Sequence, residues 1–117
     1  MSADAALVPV FAALGDETRW AVLDELGRGD ASASALAGRL PVTRQAVAKH
    51  LAVLAAVGLV EPVRVGREVR YRAVGARLSQ TGRALEAVGR AWDRRLDALR
   101  ALVEEPGDTG GGATQSG

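Results

Sequence analysis

Residues 34–60 read SALAGRLPVTRQAVAKHLAVLAAVGLV. Two short apolar periodicities lie on either side of Pro41-Val42-Thr43. The first, with Leu36, Ala37 and Leu40 apolar, predicts a helix from about Ser34 to Leu40. Pro41 stops it, because a proline lacks the backbone donor that a continuing helix needs. Thr43 has the short hydroxyl side chain of an N-cap and predicts a second helix over Arg44 to Ala56, which Gly58 ends. Two short helices joined by a tight turn make a helix-turn-helix unit, whose second helix enters the DNA major groove.

The faces of the second helix fit that use. At 100° per residue, Arg44, Gln45, Ala48, Lys49 and Ala52 fall within an arc of roughly 140°. Val47, His50, Leu51 and Leu54 fall on the opposite side. The small alanines let the helix lie close to a duplex. Arg44 and Gln45 sit in the first turn, where a recognition helix meets base edges; arginine pairs with guanine O6/N7 and glutamine with adenine N6/N7. Thr43 and the free N–H groups at the helix start suit a phosphate. His50, the single histidine, has two readings: packing at the rim of the helix-turn-helix, or a phosphate contact.

C-terminal to this unit, Val60 to Val65 and Glu68 to Val74 alternate in character around Gly66-Arg67. Glycine at the first position of a two-residue loop fits a type II′ hairpin. Val69, Tyr71 and Ala73 share one face of the second strand, and Glu68, Arg70 and Arg72 the other. Pro62 confines the first strand to an edge or ends its pairing. Arg64, Arg67, Arg70 and Arg72 make the hairpin basic, with Arg67 at the tip, as expected of a wing that contacts the DNA backbone or minor groove.

On the N-terminal side, Leu7 to Leu14 is a short apolar segment whose Pro9 is tolerable only near a helix start. Asp16 reads as the N-cap of a helix carrying Trp20, Val22, Leu23 and Leu26 and ending at Gly27 or Gly29, with Glu17 suiting its positive end. The last element is long. Leu85, Val88, Trp92, Leu96, Leu99 and Val103 recur at steps of three and four, a heptad seam over about 80–105 that needs a partner, most simply its own copy in a second subunit. The Gly-rich residues 106–117 are expected to be disordered. The expected order is four helices, a hairpin and a long helix: mainly α with a β-hairpin wing, in one domain, 1–105.

The net charge of the 117 residues is +1, but it is unevenly distributed. Residues 1–42 carry −3, residues 43–85 carry +6 and residues 86–117 carry −2. A basic block over the helix-turn-helix and hairpin is the electrostatic footprint of a nucleic-acid reader. The chain has no cysteine, which excludes disulfides, thiol chemistry and Cys-based metal sites. No phosphate-cradling glycine loop or acid/base constellation is present, so no catalytic residues are expected. No apolar run long enough for a membrane span and no signal peptide is visible; the expected location is the cytoplasm.

The stretches FAALGDETRWAVLDELGRG and ASALAGRLPVTRQAVAKHLAVLAAVGLVEPVRVGREVRYRA resemble the ArsR-type winged helix-turn-helix repressors of bacteria. The resemblance covers about residues 7–103. It is carried best by Asp16, Thr18 and Arg19 of a D-x-T-R element, and by the run V-x-K-H-L-x-V-L-x-x-x-G-L-V from Val47 to Val60. Glu17 replaces the proline common in the family, and both suit a first helical position. The resemblance implies a homodimer joined through the first and last helices, binding a pseudo-palindromic operator. It implies DNA contacts from Thr43, Arg44, Gln45 and Lys49, with Arg67 at the wing tip. The full expected DNA-binding set is Thr43, Arg44, Gln45, Lys49, His50, Arg64, Arg67 and Arg70. The expected dimer set is Leu7, Phe11, Leu85, Val88, Trp92, Leu96, Leu99 and Val103.

Many ArsR-type proteins sense metals through a Cys-x-Cys pair, at positions that align here with Ser32 and Ser34. Others use histidines on the last helix, and no histidine follows His50 in this chain. The resemblance is therefore to the metal-independent branch, with no metal or other cofactor expected and the effector, if any, unidentified. Asp93, Asp97 and Glu104 read as a solvated helix face. The competing function is a winged-helix module that binds protein rather than DNA.

Overall fold

The computed structural model describes residues 6–107. Its elements are helix α1 (Val8–Leu14), helix α2 (Glu17–Arg28), strand β1 (Ala31–Ser32), helix α3 (Ala33–Arg39), helix α4 (Arg44–Ala56), strands β2 (Val60–Val65) and β3 (Glu68–Ala73), and helix α5 (Gly75–Gly107). The chain packs as two units that divide between Thr81 and Gly82.

In the first unit three helices start where the sequence supplies a side-chain cap. Pro9 lies in the first turn of α1, where its missing N–H costs nothing. Asp16, Ser32 and Thr43 cap α2, α3 and α4, their side-chain oxygens accepting the N–H of Arg19, Ala35 and Ala46 at 3.0, 3.1 and 3.1 Å. One stripe of each helix is apolar, and together these stripes form the core: Val10, Val22, Leu26, Leu36, Val47, Leu51 and Leu54, closed by Leu59.

Helix α4 ends in a paired-bond motif. The Leu59 N–H donates to the Leu54 carbonyl and the Gly58 N–H to the Ala55 carbonyl, both at 3.0 Å. This requires the left-handed φ of +81° that Gly58 adopts. The chain then enters β2, so recognition helix and wing are joined by three residues.

The sheet has the order β1-β3-β2, both pairings antiparallel. Register runs from Val60 opposite Ala73 to Val65 opposite Glu68. Pro62 stands opposite Tyr71 in the edge strand β2, where a missing donor is harmless. Gly66 has φ +65° and no non-glycine residue has positive φ among the described residues, the pattern of a type II′ turn.

Several expectations need correction. Strand β1 was not foreseen: two residues carry no periodicity, and only their pairing with Tyr71 and Arg70 makes them a strand. Helix α3 begins at Ala33 because Ser32 caps it. Strand β3 ends at Ala73 and α5 begins at Gly75, earlier than 80, because the Val74 carbonyl accepts the N–H groups of Arg77 and Leu78. Residues 106 and 107, expected in the tail, continue α5; 108–117 lie outside the described residues. Trp20 is 59% exposed rather than part of the core, since it lies about 110° around α2 from the centre of the stripe of Val22, Leu23 and Leu26.

The second unit is the remainder of α5. Leu85, Val88, Trp92, Leu96, Leu99 and Val103 are 41 to 77% exposed, and the Arg95 guanidinium lies 5.1 Å from the Trp92 ring centre.

Candidate nucleic-acid interface

The buried stripe of α4, formed by Val47, Leu51 and Leu54, fixes which residues look outward. Gln45, Lys49 and Ala52 lie opposite it and are exposed, as are Thr43, Arg44 and Ala48. Thr43 already spends its hydroxyl oxygen as the N-cap. The remaining N–H groups of the first turn point outward with a partial positive charge.

His50 lies at one flank of α4 and is half-buried. Its Nδ1 is 3.5 Å from the Arg19 guanidinium. That guanidinium also donates through Nε to the Ala13 carbonyl at 2.6 Å and lies 3.8 Å from the Asp16 carboxylate. Arg19 therefore ties the end of α1, the start of α2 and the flank of α4 together. His50 faces this cluster rather than the outward face of α4. The Asp16 carboxyl is held below its usual range. The hydrogen bond from the Arg19 N–H is the main cause, aided by the charges of Arg19 and His50 and opposed by partial burial.

Arg44 lies at the other flank. Its Nε donates to Ser34 Oγ on α3 at 2.9 Å. Between α3, α4 and the wing runs a groove of about 390 Å³, lined among others by Ser34, Arg44, Ala48, Arg67 and Tyr71.

On the wing the arginines divide into two kinds. Arg70 is paired with Glu68 at 2.7 Å and Arg72 lies 3.7 Å from Asp30. Arg64 and Arg67 are exposed and have no carboxylate partner among the described residues; Lys49 on α4 is in the same condition. Exposed cations without a carboxylate partner among the described residues thus occur on α4 and toward the hairpin tip, and also along α5 at Arg83, Arg90, Arg94 and Arg95. The charge of Arg70 is partly offset by its own neighbour Glu68.

Of the residues expected at a subunit contact, Leu7 is only 2% exposed and has almost no surface to offer a partner; it packs in the core of its own protomer. Phe11 is half-exposed. Val8, not singled out in the sequence, is 61% exposed beside it. Sequence reasoning also missed Ser34 and Arg77. Arg77 donates through Nε to the Val57 carbonyl at 3.2 Å, closing the end of α4. Both contacts join residues far apart in the chain, so no spacing rule announces them. No group of three or more metal-binding side chains occurs among the described residues, and no helix there is long and apolar enough to cross a membrane.

Comparison with known proteins agrees with this geometry. A helix-turn-helix domain family model matches residues 14–63. HTH-type transcriptional regulator Rv2034 of Mycobacterium tuberculosis is 36% identical over 98 residues, which cover 82% of this chain and 87% of that protein. The structure of an ArsR-like transcriptional regulator from Rhodococcus superimposes with a TM-score of 0.74 at 64% identity, covering 84% of this chain and 92% of that one. A homodimeric winged helix-turn-helix DNA-binding domain from Mycobacterium bovis shares the fold, with a TM-score of 0.56 at 24% identity, covering 87% of this chain and 85% of that one. The outward face of α4, the hairpin that follows it and these relatives together establish that the chain belongs to the ArsR-type winged helix-turn-helix family and is a DNA-binding transcriptional regulator.

Proposed function

We propose that the protein is a dimeric repressor. It binds a pseudo-palindromic operator through α4 in the major groove and through the wing on the flanking backbone. The observation that carries this reading is the exposed face of α4, where Gln45, Lys49 and Ala52 lie opposite the buried stripe, followed directly by a wing whose exposed Arg64 and Arg67 have no carboxylate partner among the described residues. Exposed cations beside an outward helix face that carries base-reading side chains suit a polyanion. Thr43, Arg44 and Gln45 contribute from the first turn of α4. His50 acts by holding that helix against Arg19.

Dimerisation uses the exposed seam of α5 with Phe11 of α1, as the M. bovis domain is homodimeric. A two-fold axis then presents two copies of α4 to two half-sites about one or two helical turns apart. Residues 1–105 act as a single DNA-binding and dimerising module. No metal takes part: Ser32 is occupied as the α3 cap and Ser34 by Arg44. The protein works in the cytoplasm, where promoter DNA is.

The test is binding to a labelled duplex from the protein's own promoter at ~0.1–0.2 M salt. The expected result is much tighter binding than to random duplex, and reduced transcript from that promoter in a run-off assay when protein is added. Equal affinity for both duplexes refutes the specific regulator; an increased transcript refutes repression. Zinc or cadmium is expected to leave binding unchanged.

A further inference from the structure

We infer that Arg44 grips the DNA backbone rather than a base edge, and that Ser34 is the positioning residue that assigns it this task. The inference rests on the reading of α4 as a recognition helix and adds a division of labour within it.

The buried residues of α4 locate its outward direction more closely than the sequence could. Val47, Leu51 and Leu54 define the inward direction. At 100° per residue, Gln45, Lys49 and Ala52 lie within about 50° of the direction opposite to it. Arg44 lies roughly 130° away from that outward direction, on the edge of the helix that faces α3. The hydrogen bond from Arg44 Nε to Ser34 Oγ, 2.9 Å long, draws the guanidinium further toward α3. The side chain therefore lines the groove that Arg67 of the wing also lines.

In a winged helix-turn-helix complex the recognition helix fills the major groove and the wing lies beyond its border. The strand crossing between them is the sugar-phosphate ridge. Arg44 and Arg67 place cations on both sides of this groove, Ser34 and Tyr71 line it between them, and its one carboxylate, Glu68, is paired with Arg70, so the groove suits that ridge. With Nε engaged by Ser34, the two terminal nitrogens of Arg44 present a forked donor, the geometry that receives a phosphate's two oxygens. Base reading then falls to Gln45 and Lys49 at the centre of the face.

The test is selection of binding sites by the full-length protein from a random duplex library, followed by affinity and salt titrations on the selected duplex. The wild-type protein is expected to select a two-fold motif. Arg44→Ala is expected to select the same motif with roughly tenfold weaker binding and a salt slope reduced by about one per half-site. Gln45→Ala is expected to lose preference at one base pair of each half-site. Arg44→Lys should select the same motif and recover part of the lost affinity, since its point charge still meets a phosphate but lacks the fork that Ser34 orients. Ser34→Ala should weaken binding with an unchanged motif and have no further effect in the Arg44→Ala background. These side chains are exposed, and unchanged circular dichroism melting establishes that each variant is folded.

Loss of a preferred base in the Arg44→Ala selection overturns the backbone role. Full additivity of Ser34→Ala and Arg44→Ala, or no effect of Ser34→Ala, overturns the positioning role. If the wild-type protein selects no motif, the operator reading itself fails and this inference falls with it, an outcome distinct from an altered motif.

Discussion

Gly58 shows how much can hang on one residue. Its φ of +81° is open to glycine and strained for any other residue, and a methyl group there would meet the Arg77 side chain at 3.5 Å. Gly58→Ala is expected to destabilise the protein by about 1–2 kcal/mol, read as a lower midpoint in urea unfolding. Gly38, helical with nothing near an added Cβ, provides the contrast: Gly38→Ala should stabilise by roughly 0.5–1 kcal/mol. Asp16 makes a pH-dependent contribution. Its carboxyl is lowered from the ordinary value of 3.8 by the Arg19 N–H, then by the charges of Arg19 and His50. A carboxylate with a lowered folded-state value stabilises the fold above its unfolded value and loses that contribution as pH falls through the folded one. The stability gap between the wild type and Asp16→Asn should therefore be largest near neutral pH and close below about pH 4. A gap that persists into acid would show that the charge is not what Asp16 supplies. The capping roles of Asp16 and Thr43 were legible in the sequence, because a cap is a local bond spanning three residues. The Arg44–Ser34 and Arg19–His50 contacts were not, because they cross between helices.

At the scale of elements, α4 was bounded correctly from its cap, its apolar period and its glycine stop, and the hairpin, but for Val74, from its alternation and Gly66. What the sequence could not supply was the rotation of α4 about its own axis. An arc holding both Arg44 and Lys49 was drawn from polarity. Burial of Val47, Leu51 and Leu54 moved its centre toward Lys49 and left Arg44 at the edge. Strand β1 was illegible for another reason: it exists only as a partner of β3. The wing should behave as an electrostatic element. Arg64→Ala and Arg67→Ala are each expected to weaken binding of all duplexes alike and to reduce the salt slope by about one per wing. Arg70→Ala should do less, because Glu68 already neutralises that side chain; a larger effect for Arg70→Ala would contradict the division drawn between them.

For the whole molecule, the exposed apolar seam of α5 is the feature that a single chain leaves unsatisfied. Six large apolar side chains at heptad spacing, each at least 41% exposed, are far more than a lone soluble helix ordinarily shows. Leu96→Lys with Leu99→Lys is expected to yield monomers in sedimentation. Those monomers should also bind operator DNA more weakly, because two half-sites can no longer be held by one particle. An unchanged dimer would remove this seam from the interface. Leu7 does not contribute to such a contact, being enclosed in its own protomer, whereas Val8 and Phe11 retain exposed surface on α1.

The sequence by itself determined whatever depends on neighbours along the chain. This includes the caps of α2 and α4, the stops of α2, α3 and α4, the type II′ turn, the heptad seam and the concentration of positive charge over residues 43–85. From these follow a winged helix-turn-helix and a DNA-facing helix. Only the tertiary structure decided which cations are left unpaired, how α4 is rotated, and that Ser34 and Arg19 hold its two flanks. Those properties depend on distances between segments that the chain order does not encode. A side chain's charge is fixed by its identity, but its availability to a phosphate is fixed by whatever the fold places beside it.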